Sequence, residues 1–205
     1  NYFLGDAGRG RHPGIAQKII ADRLRPEQIQ LPLYFPYVQA TADLAAAWVT
    51  AAETVWQPLM QGQDVVFATE GDASFYSTFT YLSQTLQRLH PEVRVETVAG
   101  VCSPLAAAAV LGHPLTILQQ RLMVLPALYA IADLEAALDQ ADVVVLMKVA
   151  SVYAEVWPIL ERRHLLDQSA VVVRASQETE RVYPTLTGRP TLELPYFSVL
   201  IIHCR

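Results

Sequence analysis

The sequence predicts two α/β domains, the first on a mainly parallel sheet and the second on a mixed one. Three observations carry this expectation. Strand-like and helix-like segments alternate over residues 1–112, as in a doubly wound fold. After residue 113 strands outnumber helices, which favours a partly antiparallel sheet. Between the two regimes, Gly112-His113-Pro114 breaks the chain, so the expected domains are residues 1–112 and 113–205.

In the first half, "YFLG" reads as a short strand entering a turn, and "GIAQKIIADRL" (14–24) spaces Ile15, Ile19, Ile20 and Leu24 as a helix that Pro26 stops. "QIQLPLYF" (28–35) alternates like a strand, with Pro32 better suited to an edge. From Thr41 to Met60 the apolar positions follow a 3.6-residue period, giving a long helix that starts near Thr41 or Asp43. "DVVFAT" (64–69) is an apolar run of the kind buried on both faces of a parallel sheet. A helix from about Phe75 to Leu89, a strand "VRVETV" (93–98) and an alanine-rich helix "SPLAAAAVL" complete this half.

In the second half, "QQRLMVLPAL" (119–128) reads as a strand and "DLEAALDQA" (133–141) as a short helix. "DVVVLMKV" (142–149) is a second fully buried strand, and "VYAEVWPILERRHLL" (152–166) a helix interrupted by Pro158. "AVVVRAS" (170–176) and "PYFSVLIIH" (195–203) are the last two strands.

Composition narrows the function classes. With 52% hydrophobic and 17% charged residues in a chain of 205, a globular protein with well-covered sheets is expected. No window is long and apolar enough to cross a bilayer, and no basic-then-apolar leader opens the chain, so a soluble, cytoplasmic protein with no membrane partner is expected. The net charge of -5 argues against nucleic acid as a partner. The charge is uneven, however. Residues 1–25 carry Arg9, Arg11, Lys18, Arg23 and Arg25 against Asp6 and Asp22, so the rest sums to -8. Cys102 and Cys204 have no ligand spacing around them, which points to buried thiols and to no metal.

Three stretches could bind a ligand. In "TEGDASFYS" a glycine lets something approach the backbone, and the amides of the following helix offer donors; Asp72 or Ser74 could equally be caps of an ordinary turn. "VAGVCSPLAAAA" (98–109) repeats the pattern of buried strand, glycine and small-residue helix start, which suits either a cofactor or close helix packing. Turns after neighbouring strands would share the carboxyl-end edge of a sheet, where open α/β folds place ligands. "GRGRH" (8–12) is a cationic loop suited to carboxylates or phosphates, or simply a solvated loop. No Walker loop, nucleophile elbow or catalytic triad is visible, and no catalytic residue can be named.

Read together and in order, "FATEGDASFYSTFTYL", "VETVAGVCSPLAAAAVLGHPL", "VVLMKV" and "PYFSVLII" resemble the tetrapyrrole methyltransferase family, the class III S-adenosylmethionine-dependent methyltransferases. The "SFYSTFTYL" continuation, the "PYFS" ending and "GRGRHPGIAQKIIA" resemble its branch acting at carbon 20 of precorrin-2 or cobalt-precorrin-2 in corrin biosynthesis. The resemblance covers nearly the whole chain. It implies two α/β domains with S-adenosylmethionine in a cleft between them, a tetrapyrrole substrate and a homodimer. By position it implies cofactor contacts at Gly71, Asp72, Phe75, Cys102, Ser103, Met147 and Ala175, with Pro195 to Phe197 beyond them. Arg9 and Arg11 would face the substrate carboxylates. Ala73 and Ala99 stand where the family has prolines, and the family's N-terminal "GxGPGDxxLLTxxA" loop is not visible. A stretch between about Gly5 and Ala7 is therefore expected to be missing from the numbered sequence.

Overall fold

A computed structural model describes residues 14–33, 35, 41–128 and 130–205. The chain divides into two units, Asn1–Gly100 and Val101–Arg205. The expected strand at "YFLG", the cationic loop with Arg9 and Arg11, and the junction between Gly5 and Ala7 lie outside the described residues.

In the first unit, helix α1 spans Ile15–Ile20 and passes into a 3-10 turn, Ala21–Arg23. Helix α2 spans Thr41–Met60 and α3 spans Thr78–Leu89. The 3.6-residue stripe of α2 packs on α3: Ala51, Ala52 and Val55 are buried together with Leu82 and Leu86. Val65 and Phe67 join that cluster, while Val66 between them is 89% exposed. This period-2 alternation is that of an extended chain with one covered face. Among the described residues, the expected strands at 28–35, 64–69 and 93–98 form no ladder.

Helix α3 begins three residues later than the sequence suggests. Tyr76 adopts a left-handed backbone, with φ 50°, which breaks the helical path, and Ser77 then caps the helix by accepting the N–H of Phe79 at 3.2 Å. The expected caps Asp72 and Ser74 are used elsewhere.

The second unit opens with α4, Ser103–Leu111, which ends at Gly112 in the left-handed conformation glycine tolerates best (φ 69°). Gly112 is thus a helix terminus. Strand β1 (Leu122–Leu125) leads to α5 (Ile131–Gln140), β2 (Val143–Met147) and α6 (Tyr153–Arg162). Three strands follow: β3 (Ser169–Val173), β4 (Arg181–Tyr183) and β5 (Ser198–His203). Helix α6 runs through Pro158 instead of breaking there. The three-residue β4 has no counterpart in the sequence reading.

The sheet order is β1-β2-β5-β3-β4, with β1 parallel to β2 and every other pair antiparallel, so the expected mixed sheet is present. Alternation decides what each face meets. Val144, Leu146, Val171, Val173, Leu200 and Ile202 pack with Leu134 and Leu138 of α5 and with Val156 and Leu160 of α6. Val143, Val145, Val172, Val199 and Ile201 face the other way, onto Ala107 and Ala108 of α4. Both faces are covered, which is why "DVVV" can be apolar without a break. Arg163, just past the end of α6, holds the carboxylates of Glu135 and Asp139 on α5, the latter at 2.7 Å, and Arg162 joins Glu135 at 2.7 Å. No helix among the described residues is long and apolar enough to cross a membrane.

Candidate functional site

The glycine-acid turn is built by one carboxylate. Gly71 takes φ 71°, and Asp72 then folds an Asx turn, its Oδ1 accepting the Ser74 N–H at 2.8 Å and also the Ser74 hydroxyl. Its Oδ2 accepts the Gly100 N–H at 2.7 Å, 28 positions along the chain. The Ser74 hydroxyl, followed by the Gly100 and Ser74 amides, holds the Asp72 carboxyl below the usual carboxylate range, so it stays ionised.

Gly100 is matched to this contact by its lack of a side chain. A Cβ there would lie 2.2 Å from the Gly71 carbonyl oxygen and 3.2 Å from the Asp72 Cα. The two glycine turns singled out in the sequence are therefore interlocked backbone to backbone. The first is also anchored from behind, where the Thr69 and Ser77 hydroxyls lie 3.1 Å apart. Beyond the turn, the half-buried Phe75 meets the Tyr76 ring edge to face at 4.7 Å. Glu70, just before Gly71, accepts the Ala16 N–H at 3.0 Å. Burial pushes its carboxyl up from 4.5 in spite of that bond.

In the second unit, β2 and β3 both run antiparallel to β5, so their carboxyl ends share one sheet edge. Met147 is the last residue of β2, opposite Val199, and Ala175 lies just past β3, packed against the α4 cluster. Cys102 is the residue before α4 and makes no side-chain cap, and Ser103 is the first residue of that helix. At the same edge the chain enters β5 through Tyr196 and Phe197, whose rings meet at 5.1 Å and 89°.

The structure thus brings Gly71 and Asp72 into one interlocked turn and sets Met147 and Ala175 along one edge. Arg9 and Arg11 fall outside the described residues. Sequence reasoning passed over Gly100 as an anchor, although the glycine between a strand-like run and a small-residue helix was the available signal. A groove among the described residues lies elsewhere. It is a space of about 790 Å³ lined by Ala16, Ile20, Leu24, Leu31, Val66 and their neighbours, and it contains none of these turn or edge residues.

Residues 4–190 match the family described as tetrapyrrole (corrin/porphyrin) methylases. The chain is 32% identical over 201 residues to the cobalt-precorrin-2 C(20)-methyltransferase of Salmonella typhimurium, covering 96% of this chain and 82% of that protein. Among solved structures it is similar to cobalt precorrin-4 methyltransferase, a cobalamin biosynthetic enzyme, with a TM-score of 0.60 and 18% identity over 81% of this chain and 72% of that one. It is also similar to a uroporphyrin-III C-methyltransferase of Thermus thermophilus complexed with S-adenosylhomocysteine. There the TM-score is 0.50 and the identity 21%, over 73% of this chain and 71% of that one.

Proposed function

The chain belongs to the tetrapyrrole methylases, and from that premise we propose that it transfers a methyl group from S-adenosylmethionine to carbon 20 of precorrin-2 or cobalt-precorrin-2, in cobalamin biosynthesis. The relative at 32% identity, which acts on cobalt-precorrin-2 by its name, supports the substrate. The interlocking of the Gly71–Asp72 turn with Gly100 is the observation that carries the cofactor. It fixes the Gly71–Asp72 peptide groups against Gly100, where there is no room for a side chain, which suits recognition of a ligand by backbone donors and acceptors.

The proposed cofactor contacts are Gly71, Asp72, Phe75, Cys102, Ser103, Met147 and Ala175. Their chemistry fits a nucleoside with an amino-acid tail: peptide groups, a hydroxyl, an aromatic ring, a thioether and a methyl side chain. Asp72 is the one charged member, and both its oxygens already hold the turn together, so its side chain acts by positioning the peptides around it.

When bound, S-adenosylmethionine supplies a methyl group already activated by its sulfonium. The protein's task is then to align donor and acceptor carbons and exclude water, and such positioning contributes on the order of 7–11 kcal/mol. No acid-base dyad is needed for it. A homodimer in the cytoplasm completes the reading, and sedimentation tests the first part.

The deciding experiment incubates the protein anaerobically with S-adenosylmethionine and precorrin-2, with and without cobalt, and follows product mass and regiochemistry. Gain of one methyl group at carbon 20, with release of S-adenosylhomocysteine, is the expected result. Methylation at another carbon would make the chain a sister enzyme of the same family. Binding of cofactor and macrocycle with no turnover would make it a binding module.

A further inference from the structure

We infer that Lys148 and Arg174 form a carboxylate-binding pair that anchors the macrocyclic substrate at the edge of the second sheet. The inference rests on the methyltransferase reading above and adds a site to it. Lys148 directly follows β2 and Arg174 directly follows β3, on either side of β5. The register places them almost level: Met147 is opposite Val199, Val173 is opposite Ser198, and the Arg174 N–H donates to the Phe197 carbonyl at 2.8 Å. Two inter-strand spacings separate the two chains, about 10 Å. A rigid ring bearing carboxylates around its rim presents anions on that scale.

Both residues take a left-handed backbone, φ 53° for Lys148 and 51° for Arg174, a conformation disfavoured for a residue with a Cβ. Two long cationic side chains thus occupy positions where glycine would be easier. Among the described residues neither has an acidic partner. The exposed Lys148 ammonium rests 5.5 Å from the Tyr196 ring centre, and Arg174 donates one N–H to the Thr179 hydroxyl at 3.1 Å, leaving the rest of its fork without a carboxylate. Glu180, in the loop after β3, accepts the Ser176 N–H instead, and Glu178 beside it makes no ion pair among the described residues.

Among the described residues of the unit, Arg181 and Arg189 also lack an ion pair, Arg189 lying over the Tyr183 ring, whereas the other four cations are paired. Arg162 and Arg163 are held by Glu135 and Asp139, and Arg121 and Arg205 by Asp142, the residue just before β2. Cations at the start of β2 are neutralised, whereas Lys148 at its end is not. That end is where Met147 and Ala175 lie, next to Lys148 and Arg174 in the chain. In a protein of net charge -5, an anionic substrate needs such a local positive edge to approach and orient. The Arg174 fork suits a carboxylate held by two parallel hydrogen bonds, and the Lys148 ammonium a point contact.

The test compares the full chain with Lys148→Met, Arg174→Met, the double variant and Lys148→Arg. Affinity for the air-stable, oxidised form of precorrin-2 is followed by absorbance titration, and S-adenosylhomocysteine affinity by calorimetry. Each single loss of charge is expected to weaken macrocycle binding about fivefold, and the double variant about 25-fold. S-adenosylhomocysteine affinity should stay within about twofold, Lys148→Arg should restore binding, and added salt should weaken the unsubstituted protein more than the double variant. In turnover, KM for the macrocycle should rise while kcat holds.

Macrocycle affinity unchanged in the double variant overturns the inference while leaving the methyltransferase reading intact. Equal loss of both ligands also overturns it, because the pair would then be supporting the fold. An unsubstituted protein that binds S-adenosylhomocysteine but not the macrocycle sinks the substrate reading and this inference together.

Discussion

Residues 64–69, "DVVFAT", and 142–149, "DVVVLMKV", begin alike, and the sequence gives no reason to treat them differently. Their surroundings diverge. Val143, Val144, Val145 and Leu146 are completely buried, paired with β1 on one side and β5 on the other, with helices on both faces. In the first unit Val65 and Phe67 lie against α2 and α3, while Val66 turns away from them. An apolar run therefore specifies an extended chain and a periodicity, but how many faces are covered depends on what packs around it.

Core truncation should widen this contrast most. Leu200, wholly buried at the centre of the second sheet between Leu146 and Val171, should cost about 2–5 kcal/mol on substitution by alanine, from lost transfer energy and the cavity left behind. Val66→Ala should change stability by less than about 0.5 kcal/mol. Urea unfolding of both variants measures the difference. A Val66 loss comparable to that of Leu200 would mean its exposed face is covered in solution.

The second contrast sets the sheet ladders against the interlocked turns, where the backbone fits without any strand pairing. Gly100→Ala forces a methyl group against the Gly71 carbonyl, which cannot move without moving the turn. Overpacking of this kind costs about 1–3 kcal/mol. Gly112→Ala is the control: it has a left-handed φ but open space around its missing side chain. S-adenosylhomocysteine affinity should fall sharply in Gly100→Ala and hold in Gly112→Ala. Equal behaviour of the two would remove the interlock from the binding argument.

These contrasts explain what was legible in the sequence. Helix α2 was legible because its stripe repeats over twenty residues, and β2 because nothing in its run interrupts the apolar pattern. The start of α3 was misjudged because the left-handed Tyr76 has no marker in its residue type. Strand β4 is three residues at a sheet edge, too short for alternation to register. Helix α4 was found, but its allegiance to the second unit follows from alanines packing on β5, which no local pattern encodes. The same holds for Asp72. A glycine-acid turn is readable, whereas its bond to an amide 28 positions away is a tertiary fact. Lys148 and Arg174 escaped notice because they are distant in sequence and are brought level only through the register of β5.

Glu70 should give the smallest effect, and its sign separates the turn's two carboxylates. Asp72 is held ionised by hydrogen-bond donors, whereas burial raises the Glu70 carboxyl above 4.5. A carboxyl with a raised folded pKa binds its proton more tightly in the native state than in the unfolded one. Stability from Glu70 is therefore greatest in acid and is lost as pH rises from about 4.5 through the folded value, levelling off above it. Glu70→Gln keeps an oxygen to accept the Ala16 N–H and cannot ionise. The variant and the unsubstituted protein should match in stability below pH 4.5 and separate above it, with glutamine the more stable. For Asp72→Asn the order reverses: the amide cannot serve both Ser74 and Gly100, so the variant should be the less stable at neutral pH, and the gap should close only as acid protonates Asp72 in the unsubstituted protein. Urea unfolding of the two variants across this range checks both signs, and a Glu70→Gln variant less stable at neutral pH would show that the carboxylate's bond to Ala16 outweighs its burial.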